Sequence, residues 1–300
     1  MTKKAMVIIN PSSGKEKAEE YKELVLEVLN KEYENIDVNY TEKANDATKF
    51  AGQACEENYD LVVSMGGDGT INEVINGLAP HERRPIYGIL PLGTVNDLSQ
   101  ALKIPQKVEK AIEMLGSGKV ISIDTGKIND QYFGNVVAVG RVPEAIHEVS
   151  IEEKSKLGSL AYYIKGAKRI LEKDTFLVRL TFNEVKWEGE IAAILVGLTK
   201  SLGAFDKIFP NAQVDDGKLH VIVVRDLSLI ETLKLTPNLL TEKLEDSENI
   251  TYMKLDQIKI EALGEKEYSS DIDGDKGPDL PIDIQVLPSF LKVLVPNSED

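Results

Sequence analysis

The chain has 300 residues, enough for one large domain or two ordinary ones around a sizeable core. A formal net charge of −15 opposes nucleic-acid phosphates and broad adhesion to an anionic membrane. The single cysteine, Cys55, excludes an internal disulfide and fits a reducing cytoplasm. Ala5 to Ile9 is too short for a signal-peptide core, and no apolar run approaches the ~20 residues of a bilayer span.

Taken in order, Ala5–Ile9 reads as a short apolar strand with a turn-rich exit, Asn10-Pro11-Ser12-Ser13-Gly14-Lys15. An amphipathic helix is expected from about Glu16 to Glu32, with Ala18, Tyr21, Leu24, Val25, Val28 and Leu29 at helical spacing. Ile36–Tyr40 alternates like a strand and leads into Thr41, and Asn45 is placed to cap a helix running to about Asn58. Leu61-Val62-Val63 reads as a buried parallel strand ending in Gly66-Gly67-Asp68-Gly69-Thr70, with a helix from Ile71 to Leu78. Ile86–Leu90 is a further strand, and Pro91 to Asp97 a further loop before a short helix to Leu102. Pro105 is expected to open a helix that Gly116 and Gly118 close. Strands alternating with helices predict a parallel α/β sheet, whose ligands bind at the carboxyl ends of the strands, where all three loops lie.

From about Lys119 the pattern turns β-rich. Strands are expected at Val120–Asp124, Tyr132–Val139, Thr175–Phe182, Val185–Val196, Leu219–Val224, Ile250–Ala262 and Ile282–Leu287. Helices are expected only at Leu157–Lys173 and from Ser228 to Pro237. The fold class is therefore α/β followed by β: a nucleotide-type domain over residues 1–126 and a β-sandwich domain over 127–300, with the extreme C-terminus returning to the first. Histidines 81, 147 and 220 lack metal-ligand spacing and read as ordinary residues.

Three glycines in the four residues Gly66 to Gly69 permit a sharp turn and close approach of a ligand, and a helix start beyond them aims free N–H groups at it. Phosphate suits such a loop, although strand–glycine turns also occur where nothing binds. The dinucleotide pattern GxGxxG fails at Asn72. The P-loop pattern fails too, because Asn10–Lys15 lacks the first glycine and continues into Glu16. A carboxylate among phosphate-binding amides, Asp68, makes sense chiefly with Mg²⁺. Further acids sit at Asp97, Asp124, Asp215-Asp216 and Asp271-Ile272-Asp273-Gly274-Asp275. Any one of these alone reads as a solvated loop, but Asp124 ends an apolar strand and Asp273-Gly274-Asp275 marks a tight turn. If the two domains bring these loops together, the product is a Mg²⁺ cleft beside a phosphate cradle, which is the equipment of phosphoryl transfer.

Four motifs carry a resemblance. Asn10-Pro11-x-Ser13-Gly14, Gly66-Gly67-Asp68-Gly69-Thr70-x-Asn72-Glu73, Pro91-x-Gly93-Thr94-x-Asn96-Asp97 and the late Asp273-Gly274 occur in this order in the diacylglycerol kinase catalytic-domain family. The chain is most similar to its soluble bacterial members over nearly its whole length. The resemblance implies an interdomain cleft in which ATP phosphorylates a lipid hydroxyl, most simply diacylglycerol to phosphatidic acid. Position by position it implies ATP contacts from Asn10, Pro11, Ser12, Ser13, Gly14, Thr41, Gly66, Gly67, Asp68, Gly69, Thr70, Ile71, Asn72, Glu73 and Thr94. Asp68, Asp97, Asp124 and Asp273 would form an acidic network around catalytic Mg²⁺. Gln213, Asp216 and Lys218 would hold a structural Mg²⁺, the first and last through main-chain oxygens. The family's general base is a Glu where this chain has Asp275, one methylene shorter. Leu98 replaces a common Phe, a packing change.

The resemblance also implies a peripheral enzyme at the cytoplasmic face of a membrane, with a homodimer permitted by any exposed β-edge. Lys154, Lys156, Lys165, Lys168, Arg169 and Lys173 form a basic stretch in an otherwise acidic chain, and Lys165, Lys168 and Arg169 are the candidates for docking on anionic headgroups. A solvated helix explains the same pattern. Other readings are a kinase of phosphatidylglycerol or a sphingoid base, an NAD kinase, which shares the GGDG loop, or a nucleotide-binding regulatory protein.

Overall fold

In the computed structural model, which describes residues 2–14, 18–140, 175–200, 208–209, 211–225 and 250–297, the apolar runs of the first third form parallel strands. The chain divides into two compact units, Met1–Thr125 with Pro288–Asp300, and Gly126–Leu287. The first unit holds β1 (Lys4–Ile9), β2 (Asn35–Tyr40), β3 (Leu61–Gly66) and β4 (Ile86–Pro91), paired in parallel in the order β2-β1-β3-β4. β3 is buried at every position, which is why its sequence is a continuous apolar run, whereas β2 at the edge alternates. The hydroxyls of Ser64 and Tyr87, buried between these strands, satisfy each other at 2.8 Å. The order reverses direction between β1 and β3, so the loops leaving those two strands diverge and leave a crevice between them.

The helices of this unit are α1 (Lys22–Leu29), α2 (Asp46–Glu56), α3 (Asp68–Leu78), α4 (Asp97–Ala101) and α5 (Val108–Ser117). Three differ from expectation. A 3₁₀ turn, Ala18–Tyr21, precedes a shortened α1, because the apolar spacing extends over both while only the second part closes α-helical bonds. The fifth helix starts at Val108 rather than at Pro105. Its cap Gly118 is extended (φ −73°, ψ 173°) instead of left-handed, and glycine serves there because a Cβ would lie 2.6 Å from the Val295 carbonyl oxygen. The third helix begins at Asp68, not Ile71.

The second unit is a sandwich of two antiparallel sheets. One carries β8 (Phe176–Phe182) between β9 (Val185–Ile191) and β13 (Gln257–Ala262), with β13 also paired to the first residues of β16 (Ile282–Val295). The other runs β12 (Ile250–Leu255), β11 (Leu219–Val224), β10 (Ala193–Gly197), β7 (Val136–Gly140), β14 (Ser269–Ile272) and β15 (Asp275–Asp279). Val137, Val139, Ile194, Val196 and Val221 from the second sheet pack with Val178, Leu180, Ile258, Ile260 and Ile284 from the first. Asn183 and Glu184 both have positive φ (45° and 64°), the backbone that a two-residue hairpin between β8 and β9 requires.

Three expected strands are each two strands. Tyr132–Val139 is β6 (Gln131–Phe133) and β7, split at Gly134-Asn135. Val185–Val196 breaks at Ala192, and Ile250–Ala262 breaks at Asp256. At each break the chain leaves one sheet and enters the other. Both halves of such a run face the same core, so the apolar pattern carries on through the corner. β5 (Lys119–Ile128) extends the expected Val120–Asp124 strand, which places Asp124 inside it rather than at its end.

The expected helices at Leu157–Lys173 and Ser228–Pro237 lie outside the described residues, as do Lys165, Lys168 and Arg169. Among the described residues no helix is long and apolar enough to cross a membrane.

Helices α2 and α3 approach at Gly77, where a Cβ would lie 2.3 Å from the Thr48 carbonyl oxygen and 2.7 Å from the Ala51 Cβ. Gly77→Ala is therefore expected to destabilise the chain by about 1–3 kcal/mol, although alanine in a helix is favoured by about 1 kcal/mol. Chemical denaturation reads the sign, and a stabilised variant would show that the two helices separate freely.

Candidate nucleotide site and acidic turns

The glycine loop is a helix start. Gly67 is the N-cap of α3 in extended conformation, and the first helical bond runs from the Ile71 N–H to the Gly67 oxygen at 3.0 Å. The N–H groups of Asp68, Gly69 and Thr70 thus have no acceptor within the helix and carry its positive dipole end. Asp68 in the first turn is where a carboxylate favours that dipole. This local balance starts the helix three residues earlier than the apolar periodicity implies.

The glycines divide their work. A Cβ on Gly66 would meet the Thr70 side chain at 2.4 Å, and one on Gly93 would meet the Gly67 Cα at 2.7 Å. Gly66 and Gly93 thus let the loops pack on themselves and on each other, and Gly67 lies at the contact between them.

Asn10, at the end of β1, donates from Nδ2 to the Thr70 hydroxyl at 3.1 Å. Its Oδ1 accepts the Ser12 N–H at 3.1 Å and the Ser12 hydroxyl at 2.7 Å, which folds Asn10 to Gly14 into a compact turn. The turn continues through Pro11, with the Ser13 N–H on the Asn10 carbonyl at 3.1 Å and Gly14 at φ +64°. The Thr41 N–H bonds the Ile9 oxygen at 2.9 Å, bringing the end of β2 alongside. Between these pieces lies a groove of about 320 Å³ lined by Asn10, Ser12, Thr41, Gly69, Thr70 and Glu73. Glu42, Lys43 and Ala44 line it too. No motif marks these three, although together they directly follow Thr41; Lys43 is the cation among the groove residues.

Other expected contacts lie elsewhere. Gly14 and Thr94 line a separate cavity of about 440 Å³ together with Tyr21, Leu92 and Gln106. Ile71 is buried at 3% exposure and packs in the core, while Asn72 accepts hydrogen bonds from Asn76 within α3. Glu73 accepts the N–H groups of Asn45 and Ala47 at 2.9 and 3.1 Å. It thereby caps α2, the task expected of Asn45, whose own side chain makes no cap bond.

In the first unit, Asp68 accepts the N–H groups of Asn96 and Asp97 at 2.9 and 2.8 Å. That cap fixes the start of α4, where Asp97 is the first residue, and Asn96 closes the loop by accepting the Gly93 N–H at 2.8 Å. Asp124 is buried, and its Oδ1 accepts the N–H of Ser289, itself at φ +50°. In the second unit, Asp273 and Gly274 have φ of +51° and +95° and turn β14 into β15. The Asp273 carboxylate accepts the N–H groups of Gly134, Asn135 and Val136 at 3.0, 3.2 and 2.8 Å. Asp275 opens β15 and is exposed.

Residues 4–128 match the model of the diacylglycerol kinase catalytic domain, and residues 135–295 that of the YegS C-terminal NAD kinase beta sandwich-like domain. A Streptococcus pneumoniae protein named "Putative lipid kinase" is 41% identical over 99% of this chain and 100% of its own length. A diacylglycerol kinase of Staphylococcus carnosus is 34% identical over 99% of this chain and 96% of its own. A solved Bacillus anthracis diacylglycerol kinase superposes with a TM-score of 0.82 at 30% identity, covering 99% of this chain and 98% of its own. The chain belongs to the diacylglycerol kinase family. It is an enzyme of the lipid kinase kind, and a kinase implies ATP as phosphate donor.

In this family member the second acidic turn is tied to a buried histidine. Asp216 accepts the N–H groups of Gln213 and Lys218 at 3.3 and 3.1 Å and meets His220 Nε2 at 2.8 Å. A carboxylate only accepts, so Nε2 carries the proton and Nδ1 accepts from the Tyr252 hydroxyl at 2.5 Å. Burial pushes the His220 pKa below the usual imidazole value, against the opposing pull of Asp216. The three N–H donors occupy three of the roughly four lone-pair positions of Asp216. Main-chain carbonyls lie nearby in sequence, and oxygen donors suit Mg²⁺ in kind. Among the described residues no three acidic, histidine or cysteine side chains converge as a metal cage. Such a set fits an ion held by one or two carboxylates and completed by phosphate or water.

Asp273→Ala strips the acceptor from three N–H groups and is expected to cost about 2–3 kcal/mol, each unmet buried amide being expensive. Thermal unfolding reads this; a variant as stable as the parent would show that water replaces the carboxylate.

Proposed function

We propose that the chain is an ATP- and Mg²⁺-dependent lipid kinase that transfers the γ-phosphate of ATP to a lipid hydroxyl, with diacylglycerol as acceptor and phosphatidic acid as product. The observation that carries the reading is the groove at the start of α3, where Gly69 and Thr70 of the first helical turn, Asn10, Ser12 and Lys43 border one space. Amide donors at a helix start bind phosphate oxygens, and Lys43 adds a positive charge beside them.

Asp68, Asp97 and Asp124 would hold Mg²⁺, and the bound ion would neutralise charge on the phosphates as it develops. The remaining work falls to the chain's own groups. Asp68 keeps the Gly93–Asp97 loop against the glycine loop, which orients the donor. Asp275 takes the proton from the acceptor hydroxyl at its carboxylate, presented by a turn that Asp273 locks. The resemblance favours this assignment, and the shorter side chain of Asp275 relative to glutamate makes the turn's rigidity matter more. The Gln213–Lys218 turn would take a structural Mg²⁺ through the Asp216 carboxylate and the main-chain oxygens of Gln213 and Lys218. A lipid acceptor brings the enzyme transiently to a membrane surface, where Lys165, Lys168 and Arg169 would meet anionic headgroups.

Incubation with γ-labelled ATP, Mg²⁺ and a panel of diacylglycerol, phosphatidylglycerol, sphingosine and NAD tests the reading. Label is expected in phosphatidic acid. Label in another lipid corrects the acceptor, label in NAD overturns the lipid assignment, and label in nothing favours a nucleotide-binding regulator.

Asp275→Ala is expected to lower turnover by about 10²–10⁴-fold, the usual worth of a general base, with the ATP dissociation constant unchanged. Near-parental turnover would remove Asp275 from the mechanism.

A further inference from the structure

Between β2 and α2 the chain runs through Thr41, Glu42, Lys43 and Ala44, and these residues form one wall of the groove beside the first turn of α3. Nothing in their composition holds them there. All four are polar or small, three are exposed, and Asn45 beyond them takes a left-handed φ of +69° without using its side chain as a cap. A free segment of this kind would sample many conformations and leave the groove without a fixed width.

Two carboxylates hold it, Asp46 directly and Glu73 through Asn45 and Ala47 just beyond it. Glu73, projecting from α3, accepts the Asn45 N–H at Oε1 (2.9 Å) and the Ala47 N–H at Oε2 (3.1 Å). Asp46, the first residue of α2, accepts the N–H groups of Glu42 and Lys43 at 2.9 and 3.0 Å on one oxygen. The two backbone bonds to Asp46 hold its carboxyl below the usual carboxylate range. The Thr48 hydroxyl adds a third tie, donating to the Glu73 carbonyl oxygen at 2.9 Å. The wall is therefore bound to the same helix whose start carries the amide donors.

We propose that Glu73 and Asp46 are positioning residues that set the Thr41–Ala44 wall against the start of α3 and so determine nucleotide affinity without touching the nucleotide. The inference rests on the reading of this groove as the ATP site. It reassigns Glu73, which by position in its motif looks like a ligand contact. A free glutamate facing triphosphate would repel it, whereas a carboxylate occupied by two N–H groups has its charge directed into the loop.

The test compares the parent with Glu73→Gln, which replaces one of two occupied acceptor oxygens by a donor NH₂, and Asp46→Ala, which removes the one oxygen that accepts both the Glu42 and the Lys43 N–H. MgATP affinity is measured by equilibrium dialysis, KM and kcat with the lipid acceptor at saturation, and unfolding temperature in parallel. In each variant the ATP KM and dissociation constant are expected to rise about ten-fold, with kcat within about three-fold of the parent. A merely structural loss would lower the unfolding temperature and the active fraction and leave KM in place. Parental KM and dissociation constant in either folded variant, or a loss confined to kcat, would overturn the proposal. If Glu73→Gln does not fold, Asp46→Ala decides alone, because Asp46 bonds the wall residues Glu42 and Lys43 directly. A parent chain that binds no MgATP would sink the nucleotide reading itself, and the inference with it.

Discussion

Asp68 takes the N–H groups of Asn96 and Asp97, and Gly67 lies against Gly93 with no room for a Cβ between the two loops. The glycine loop and its neighbour are one object as a result. The same device recurs wherever the chain must hold an irregular segment still. Glu73 and Asp46 take three amides of the stretch before α2 and that of Ala47 within it, Asp273 takes three at the start of β7, and Asp124 takes that of Ser289. An ionised carboxylate makes stronger bonds to N–H groups than a neutral acceptor does, and it satisfies amides that a turn would otherwise leave without partners.

This use of carboxylates bears on how acidic motifs are read. From sequence, an aspartate in a glycine loop points to a metal, since carboxylates and phosphates repel unless a cation lies between them. In the folded chain the same aspartate is first a clamp on backbone. The two roles are compatible in kind, because each carboxylate oxygen can accept more than one bond. They differ in consequence: removal of such a group misplaces a loop as well as weakening an ion, so a loss of activity alone does not identify a metal ligand.

The parallel sheet and the sandwich core were legible because both write themselves as periodicity: a continuous run in β3, and alternation in β8 and β13. What was not legible follows from interactions that leave no local mark. The corners at Gly134-Asn135, Ala192 and Asp256 were invisible because both arms of each corner feed one core. The early start of α3 was missed because its cap is Gly67, which has no side chain to announce it. The cap of α2 comes from Glu73, which lies 28 residues beyond Asn45, so no pattern around Asn45 could reveal it. Two of the four motifs, at Asn10 and at Gly69 to Glu73, supply groove residues, while the wall at Glu42 to Ala44, which carries no motif, had to come from the fold.

The turn at Asp273 and Gly274 shows how a shortened side chain fits the same logic. Asp275 gives up about 1.5 Å of reach relative to glutamate, one carbon–carbon bond. It also has one fewer torsion to freeze when it is placed. In the proposed role of base, a short side chain is useful only if its backbone is already fixed, and at this turn the backbone is fixed twice. Positive φ at both turn residues sets the hairpin, and the Asp273 carboxylate ties it to Gly134, Asn135 and Val136. Asp271 adds the Gly274 N–H at 2.9 Å. Two aspartates therefore hold the turn and leave a third, Asp275, exposed at the next position. Loosening Asp273 would release Asp275 without altering it, so the two residues act as one unit although only one of them faces the solvent side of the turn.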